Sequence, residues 1–506
     1  MNRTRAVIAV VAVLALVVAG VVATAVVTRD GWTDPQPVST PAPAALESFY
    51  TQDVSWSDCG SAHCAWITVP IDYDKPDGET TRLRAVVHPA TGGAATRSIL
   101  VNPGGPGGSA IDFAGSMAAS FGADVRKMYD IVGVDPRGVG RSTPLTCLSD
   151  KAFDSFTAVD PDPDDASEVA ALRQSVTDLG TACSKNSGEL AAHVSTVEVA
   201  KDMDVVRALL GRSQLDWFGA SYGTELGAVY AQLFPKKVGR MVLDGAVDPA
   251  LSAADSALGQ TTGFQRAINS YARDCVARAG CPIGTDTKTG LNRIADLLAQ
   301  LDQRPMKTSG SRVLTEGQAF YGIAVTLYDQ ETWPYLTQAL TAAFAGDGSI
   351  LLTLSDAYFM RDSKGSYSGN LGQVIYAVNC LDAPDRLTQA QTEALIPRFE
   401  EVSPVFGRSL AWGGLGCTDW PIKSTNPLPK ISAEGAPPIV VIGTTRDPAT
   451  PYEWAKSLAS QLSSGVLVTR FGDGHTAYNS GNACITSAVD TFFTDGTVPE
   501  DGLTCK

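Results

Sequence analysis

Apolar residues along this chain fall in two rhythms. Short apolar runs edged by turn residues recur at 64–70, 82–88, 98–102, 129–135, 215–220, 238–244, 438–443 and 466–471, and read as strands, several of them buried on both faces. Between some of these runs the spacing lengthens to that of a helix. Val199, Met203, Val206 and Leu210 recur on one face until Gly211, and residues 225–234 run as a helix-like stretch stopped by Pro235. Strands alternating with helices predict a mostly parallel sheet covered on both sides. From 249 to 437 the strand rhythm stops. Helical patterns dominate there, as at 290–301 and 316–344, and predict an inserted, mainly helical cap.

Length and composition set the frame. The 506 residues, 44% apolar and 18% charged, can fill a large core and do not read as disordered. The expected partition is an export signal over 1–25, a Pro/Ser/Thr/Ala-rich linker over 26–50, a first core segment over 51–248, the cap over 249–437 and a second core segment over 438–506. The signal rests on Arg3 and Arg5 followed by an uncharged run over 6–27, with Ala23-Thr24-Ala25 as a cleavage site. That run is also long enough to span a bilayer, so a retained membrane anchor is the alternative. A net charge of −15 without a basic stripe argues against a nucleic-acid partner. Ten cysteines with no C-x-x-C and no Cys/His cluster of metal spacing read as disulfides of an oxidising compartment. Neighbour spacing points to Cys59 with Cys64, Cys147 with Cys183, Cys275 with Cys281, Cys380 with Cys417 and Cys484 with Cys505.

Chemistry concentrates at Gly219-Ala220-Ser221-Tyr222-Gly223. A G-x-S-x-G turn between a strand and a helix is the context of a nucleophile elbow. A serine hydroxyl needs a base, and the base needs an orienting acid. Only four histidines are available: His63, His88, His193 and His475. His475 follows the last strand run, where a hydrolase of this type keeps its base. Asp447 follows the preceding run and is the expected acid; Asp244 and Asp248 are its rivals. Thr450, Pro451 and Glu453 predict a T-x-x-E capping box that holds the Asp447 loop. Pro103-Gly104-Gly105-Pro106-Gly107-Gly108 after the 98–102 strand offers free N–H groups, so Gly104, Gly105 and Tyr222 are the expected oxyanion hole. Asp135 and Arg137 read as bonding within their own loop, and Asp473 as a turn residue. No metal or organic cofactor is required, and the chain is expected to act as a monomer on a peptide or ester.

The order Ser221, Asp447, His475 is that of an α/β-hydrolase. On these residues, and on Gly133-Val134-Asp135-Pro136-Arg137-Gly138 and Gly443-Thr444-Thr445-Arg446-Asp447-Pro448, the chain resembles secreted bacterial tripeptidyl aminopeptidase-like serine peptidases, relatives of proline iminopeptidase. The resemblance covers about 55–506. It implies the α/β-hydrolase fold and places the family's nucleophile, acid and base on Ser221, Asp447 and His475. Pro103 stands where the iminopeptidase loop carries histidine, and Glu225 departs from the uncharged residue common in relatives. An aminopeptidase also needs a counter-charge for the substrate ammonium. Asp382 and Glu225 are the candidates; the alternative is that each is an ordinary solvated acid. A carboxylesterase or lipase, a proline iminopeptidase, and a non-enzymatic binding protein on the same fold are the competing readings. The serine at the elbow argues against a haloalkane or epoxide hydrolase, which would use aspartate.

Overall fold

The computed structural model describes residues 32–38, 42–383, 385–424 and 426–506. The expected export signal, and part of the expected linker, lie outside the described residues. Ten strands form one sheet: β1 (Ser57–Cys59), β2 (Ala62–Pro70), β3 (Thr80–His88), β4 (Arg97–Asn102), β5 (Tyr129–Val134), β6 (Leu215–Ala220), β7 (Val238–Asp244), and, after a two-residue hairpin pair β8 (Met306–Lys307) and β9 (Val313–Leu314), β10 (Ile439–Arg446), β11 (Gly465–Asp473) and β12 (Leu503–Cys505). The order is β1-β2-β3-β5-β4-β6-β7-β10-β11-β12. β1 to β3 are antiparallel, and β3 is antiparallel to β5; the strands from β5 across to β12 are parallel.

The period of two explains why the sheet is covered on both sides. Leu100, Val132, Trp217, Leu243 and Val441 pack into one apolar cluster, and their neighbours Val101, Ile131, Phe218, Val242 and Ile442 pack into another. Each such side chain contributes roughly 1.5–3 kcal/mol by leaving water. Six helices matter for the site. They are α1 (Ala110–Ser120), α2 (Thr196–Leu209), α3 (Tyr222–Leu233), α4 (Ala253–Val276), α5 (Thr287–Gln303) and α6 (Glu316–Ala324). Two more follow, α7 (Leu371–Asp382) and α8 (Tyr452–Gln461). α2 begins on a capping box from Ser195 and Glu198, which satisfies its first orphan N–H groups.

The segment between β7 and β10 is helical apart from the β8–β9 hairpin, and it has an apolar cluster of its own around Phe264, Ile294, Leu336 and Phe406. α7 is its bridge to the sheet layers: Val374, Ala377 and Leu381 join the larger cluster. The helix expected over 316–344 is broken. α6 ends at Ala324, a short turn follows, and the chain resumes as a helix at Trp333–Phe344. Asp329 caps the short turn Gln330–Thr332 that precedes the restart, accepting the Glu331 N–H at 2.9 Å. The break leaves the Tyr328 carbonyl free for another partner.

All five cysteine pairs join the neighbours named from spacing. They place the chain among exported proteins. No helix among the described residues is long and apolar enough to cross a membrane. Arg137 corrects the reading of its loop. It is fully buried and donates outward, to both Asp202 oxygens at 2.7 Å and to the carbonyls of Pro70, Ile71 and His193. Asp135 bonds within its loop only to the Arg141 N–H; it also accepts from Ser109 Oγ and the Ile111 N–H at the start of α1, so it ties the two loops together.

Candidate active site

Ser221 stands between β6 and α3 at φ 55° and ψ −128°. A non-glycine residue there costs on the order of 1–3 kcal/mol. The flanking glycines follow from the same bend. A Cβ at position 219 would lie 2.1 Å from the Gly223 carbonyl oxygen, and one at 223 would lie 2.6 Å from that of Asn102. The bend is pinned by the Ser221 N–H donating to the Asp244 carbonyl at 2.9 Å and by Trp217 Nε1 donating to the Gly223 carbonyl at 3.1 Å.

The glycine loop after β4 packs directly on the elbow. A Cβ on Gly104 would fall 2.8 Å from Ser221 Cβ and 2.7 Å from the Tyr222 nitrogen. The Gly104 N–H itself turns inward to Asn102 Oδ1 at 2.9 Å. Gly105 is exposed to the cavity, and among the described residues its N–H has no acceptor. The Tyr222 N–H is the first of α3 and has no acceptor within the helix. Two donors, Gly105 and Tyr222, therefore remain beside the serine.

Asp447 and His475 come together from the ends of β10 and β11. His475 Nδ1 lies 2.9 Å from both Asp447 oxygens. Asp447 is buried and also accepts the N–H groups of Ala449, Thr450 and Thr476. Burial works against the charged imidazolium of His475, but the Asp447 charge and hydrogen bond outweigh it, helped by Asp244, and hold the histidine above its ordinary value. The His475 N–H donates to the Tyr328 carbonyl at 2.7 Å, and the Tyr328 ring meets the imidazole edge-on at 5.2 Å. With Nδ1 engaged, Nε2 is the nitrogen left for chemistry.

The expected capping box is not what holds the Asp447 loop. Pro451 is extended and occupies the N-cap, so α8 starts at Tyr452. Thr450 Oγ1 turns instead to His475 Nδ1 at 3.3 Å, and Glu453 pairs with Arg266 at 2.9 Å. Of the rival acids, Asp244 accepts the Ala477 and Tyr478 N–H groups at 2.8–3.0 Å, while burial pushes it up to about 6. It thus ties the elbow, through its carbonyl, to the loop after His475. Asp248 bonds Gln461 at 2.7 Å. Asp473 ends β11 and binds Arg446 through both oxygens at 2.7 Å. The other histidines are held elsewhere: His63 stacks on Trp32, His88 lies in β3 and is driven down to about 4 by burial, and His193 lies 2.5 Å from Glu198.

A cavity of about 470 Å³ opens over Ser221 and Tyr222, its wall completed by the aromatic rings of Phe320, Tyr321, Tyr328 and Tyr358. Glu225 and Asp382 both line it. Asp382, at the end of α7, accepts the Thr196 N–H at 3.1 Å and its hydroxyl at 2.7 Å; burial pushes it up to about 7. Thr196 Oγ1 in turn lies 2.5 Å from the Tyr222 hydroxyl. Glu225, one turn into α3, has no hydrogen-bond partner among the described residues, and burial with the Asp382 charge pushes it up to about 8. Sequence reasoning missed Thr196 and Tyr328, which carry no motif and act only through tertiary contact.

Sheet order, elbow and loop placement define an α/β-hydrolase of the serine type. The sequence relatives narrow this. The chain is 38% identical over 477 residues to the serine protease Hip1 of Mycobacterium tuberculosis, covering 90% of this chain and 91% of that one. It is 38% identical over 457 residues to carboxylesterase B of the same organism (89% and 87%), and 32% identical over 469 residues to the tripeptidyl aminopeptidase of Streptomyces lividans (89% and 86%). The signature of the family described as TAP-like protein matches residues 403–505. The chain belongs to this TAP-like family of serine hydrolases.

Proposed function

We propose that the chain is an exported aminopeptidase that releases short peptides, tripeptides by the likeness to its relatives, from free N-termini. Ser221 is the nucleophile, His475 the base and Asp447 the acid. His475 Nε2 takes the Ser221 proton as the hydroxyl attacks the carbonyl carbon. The oxyanion is met by the Gly105 and Tyr222 N–H groups, with Gly104 holding the loop against the elbow. His475 then gives its proton to the leaving amine, and water repeats the cycle on the acyl-enzyme. Asp447 holds the imidazole in the required tautomer and offsets its positive charge. In this reading residues 51–248 and 438–506 are the core and 249–437 the cap, and residues 1–25 direct export, with retention of the 6–27 run as an anchor the alternative.

One observation favours a peptidase over an esterase: the Glu225 carboxyl faces the cavity without a protein partner, and Asp382 lines the same cavity. A carboxyl pushed up by burial gains most from a cationic ligand, because the ammonium offsets the cost of ionising it. The esterase reading draws on the aromatic wall and on the relative named carboxylesterase B. A direct test compares a free-amine tripeptidyl amide, its N-acylated twin, a prolyl amide and a short nitrophenyl ester, with Ser221→Ala as the blank. Cleavage of the free amine but not its blocked twin is the expected result. Turnover of the ester alone would make the enzyme an esterase; turnover of the prolyl amide alone would make it an iminopeptidase.

A further inference from the structure

Away from the cavity, four carboxyl groups converge where the loop before the helix Ala166–Ser187 meets α5 and α6. Asp160 comes from the loop, Asp302 from the last turn of α5 and Glu316 from the first position of α6. Each offers one carboxylate oxygen, and the three oxygens lie within 4.8 Å of one another. Asp162, two residues along the loop, reaches Glu316 as a fourth. Glu316 is only 4% exposed, and its Oε2 is buried with no hydrogen-bond partner; Asp160 Oδ2 is in the same condition. The other Asp160 oxygen accepts the Asp162 N–H at 2.9 Å.

Like charges so placed repel, and an unpartnered buried oxygen forfeits its hydration. The basic side chain beside the cluster, Arg408, relieves this only in part: its charge favours the ionised forms of Asp162 and Asp302, but it forms no ion pair with either. Its donors go to the carbonyls of Asp162 and Pro163 and to Asp164, and it also faces Glu400. Among the described residues no ion pair reaches Asp160, Asp162, Asp302 or Glu316. An acid at the first position of a helix is ordinary, since the helix dipole favours it. That preference accounts for Glu316 alone and not for three further carboxyls gathered from two other segments.

We propose that Asp160, Asp302 and Glu316, with Asp162 beside them, bind a hard divalent cation, calcium in the exported enzyme. The donor set is all oxygen and lacks nitrogen and sulfur, which suits calcium rather than zinc or copper. Packing is close at this junction: a Cβ on Gly317 would fall 2.7 Å from the Val159 carbonyl oxygen. The ion would therefore clamp three segments that already touch. α6 continues to Phe320 and Tyr321 in the cavity wall, and Tyr328 just beyond it carries the His475 N–H. The clamp thus fixes the start of the segment whose far end shapes the cavity.

The test is thermal unfolding of the protein secreted from the full chain, in EDTA and in millimolar calcium chloride, the range of extracellular calcium modules. Calcium should raise the midpoint of the wild type by at least about 2 °C. Terbium luminescence, displaced by calcium, should report saturable binding. Glu316→Gln removes a carboxylate ligand that the ion would have to ionise, so it should leave the midpoint in EDTA close to the wild type while abolishing the calcium rise and the terbium signal. Should that variant fail to fold, Asp302→Asn at the half-buried position carries the same loss of response. Identical wild-type midpoints in EDTA and calcium, or an unchanged calcium response in the folded variant, would overturn the site.

Discussion

The two walls of the cavity are built on different principles. On the sheet side, Ser221, Asp447 and His475 stand at the ends of β6, β10 and β11, and the carboxylates there are satisfied. Asp447 receives three N–H groups besides His475, and Asp244 receives two. Elsewhere the wall is aromatic, drawn from separate helices, and Glu225, which stands on α3 one turn beyond Ser221, faces the space without a protein partner. A fully bonded carboxylate holds geometry. An unbonded one stores the capacity to bind. The first wall should therefore govern turnover of any acyl substrate, and the second should govern which substrate is held.

The largest expected effect is on the sheet side. Ser221→Ala should lower kcat by at least about 10³-fold on peptide and ester alike while leaving the unfolding midpoint unchanged. Asp447→Asn should lower kcat by up to about 10⁴-fold, because the amide favours the wrong imidazole tautomer. Comparable loss on both substrate types is required of each. A variant that lost peptide turnover alone would dissolve the contrast between the walls.

A smaller effect is expected one step back from the chemistry. Asp244→Asn replaces an acceptor by an NH₂ group facing the Ala477 and Tyr478 N–H groups, so the loop carrying His475 shifts. We expect kcat to fall about 10²-fold with KM little changed, the cost of a displacement on the order of 1 Å. A rise in KM with kcat intact would mean that Asp244 belongs to the binding wall.

How far each wall was legible in the sequence follows from the same difference. Ser221, Asp447 and His475 could be chosen because strand ends are visible as apolar runs, chain order fixes their sequence, and the four histidines leave few alternatives. The glycines around Ser221 were legible because a Cβ would collide there. The Thr450 hydroxyl was misread as a cap because T-x-x-E spacing is satisfied, while an extended Pro451 takes the N-cap itself. Tyr328 was hidden inside what reads as one long helix. Thr196, Asp160, Asp302 and Glu316 belong to no local pattern, and only packing brings them to their partners. A search for Cys/His spacing does not see a cluster of carboxyls assembled from three segments.

At the unbonded carboxyl, Glu225→Gln should raise KM for a free-amine peptide by about 10-fold, the worth of one ion pair at a partly desolvated site, and leave ester KM unchanged. Asp382→Asn should act in the same direction, with an added structural cost from its bonds to Thr196. Equal losses on peptide and ester would make both acids structural.

The smallest and sharpest effect is in the pH profile. His475 is held above its ordinary value of about 6.5, so kcat/KM for the ester should fall as pH drops through a midpoint above 6.5, since only neutral imidazole accepts the serine proton. The peptide carries a second requirement. Glu225 is pushed up to about 8 and Asp382 to about 7, so in the free enzyme near neutrality Glu225 is mostly protonated. Binding an ammonium to it requires loss of that proton, and KM should rise as pH falls below about 8, by at most tenfold per unit. Above about 8 the peptide's own α-ammonium, ordinarily titrating near 7.7–8.0, loses its charge and KM should rise again. Peptide KM therefore passes through a minimum close to 8 while ester KM stays flat. Glu225→Gln should flatten the peptide curve on its acid side and leave the acid limb of ester turnover in place, because that limb belongs to His475. A peptide KM already flat between pH 6 and 8 in the wild type would remove Glu225 from substrate recognition without touching the assignment of His475.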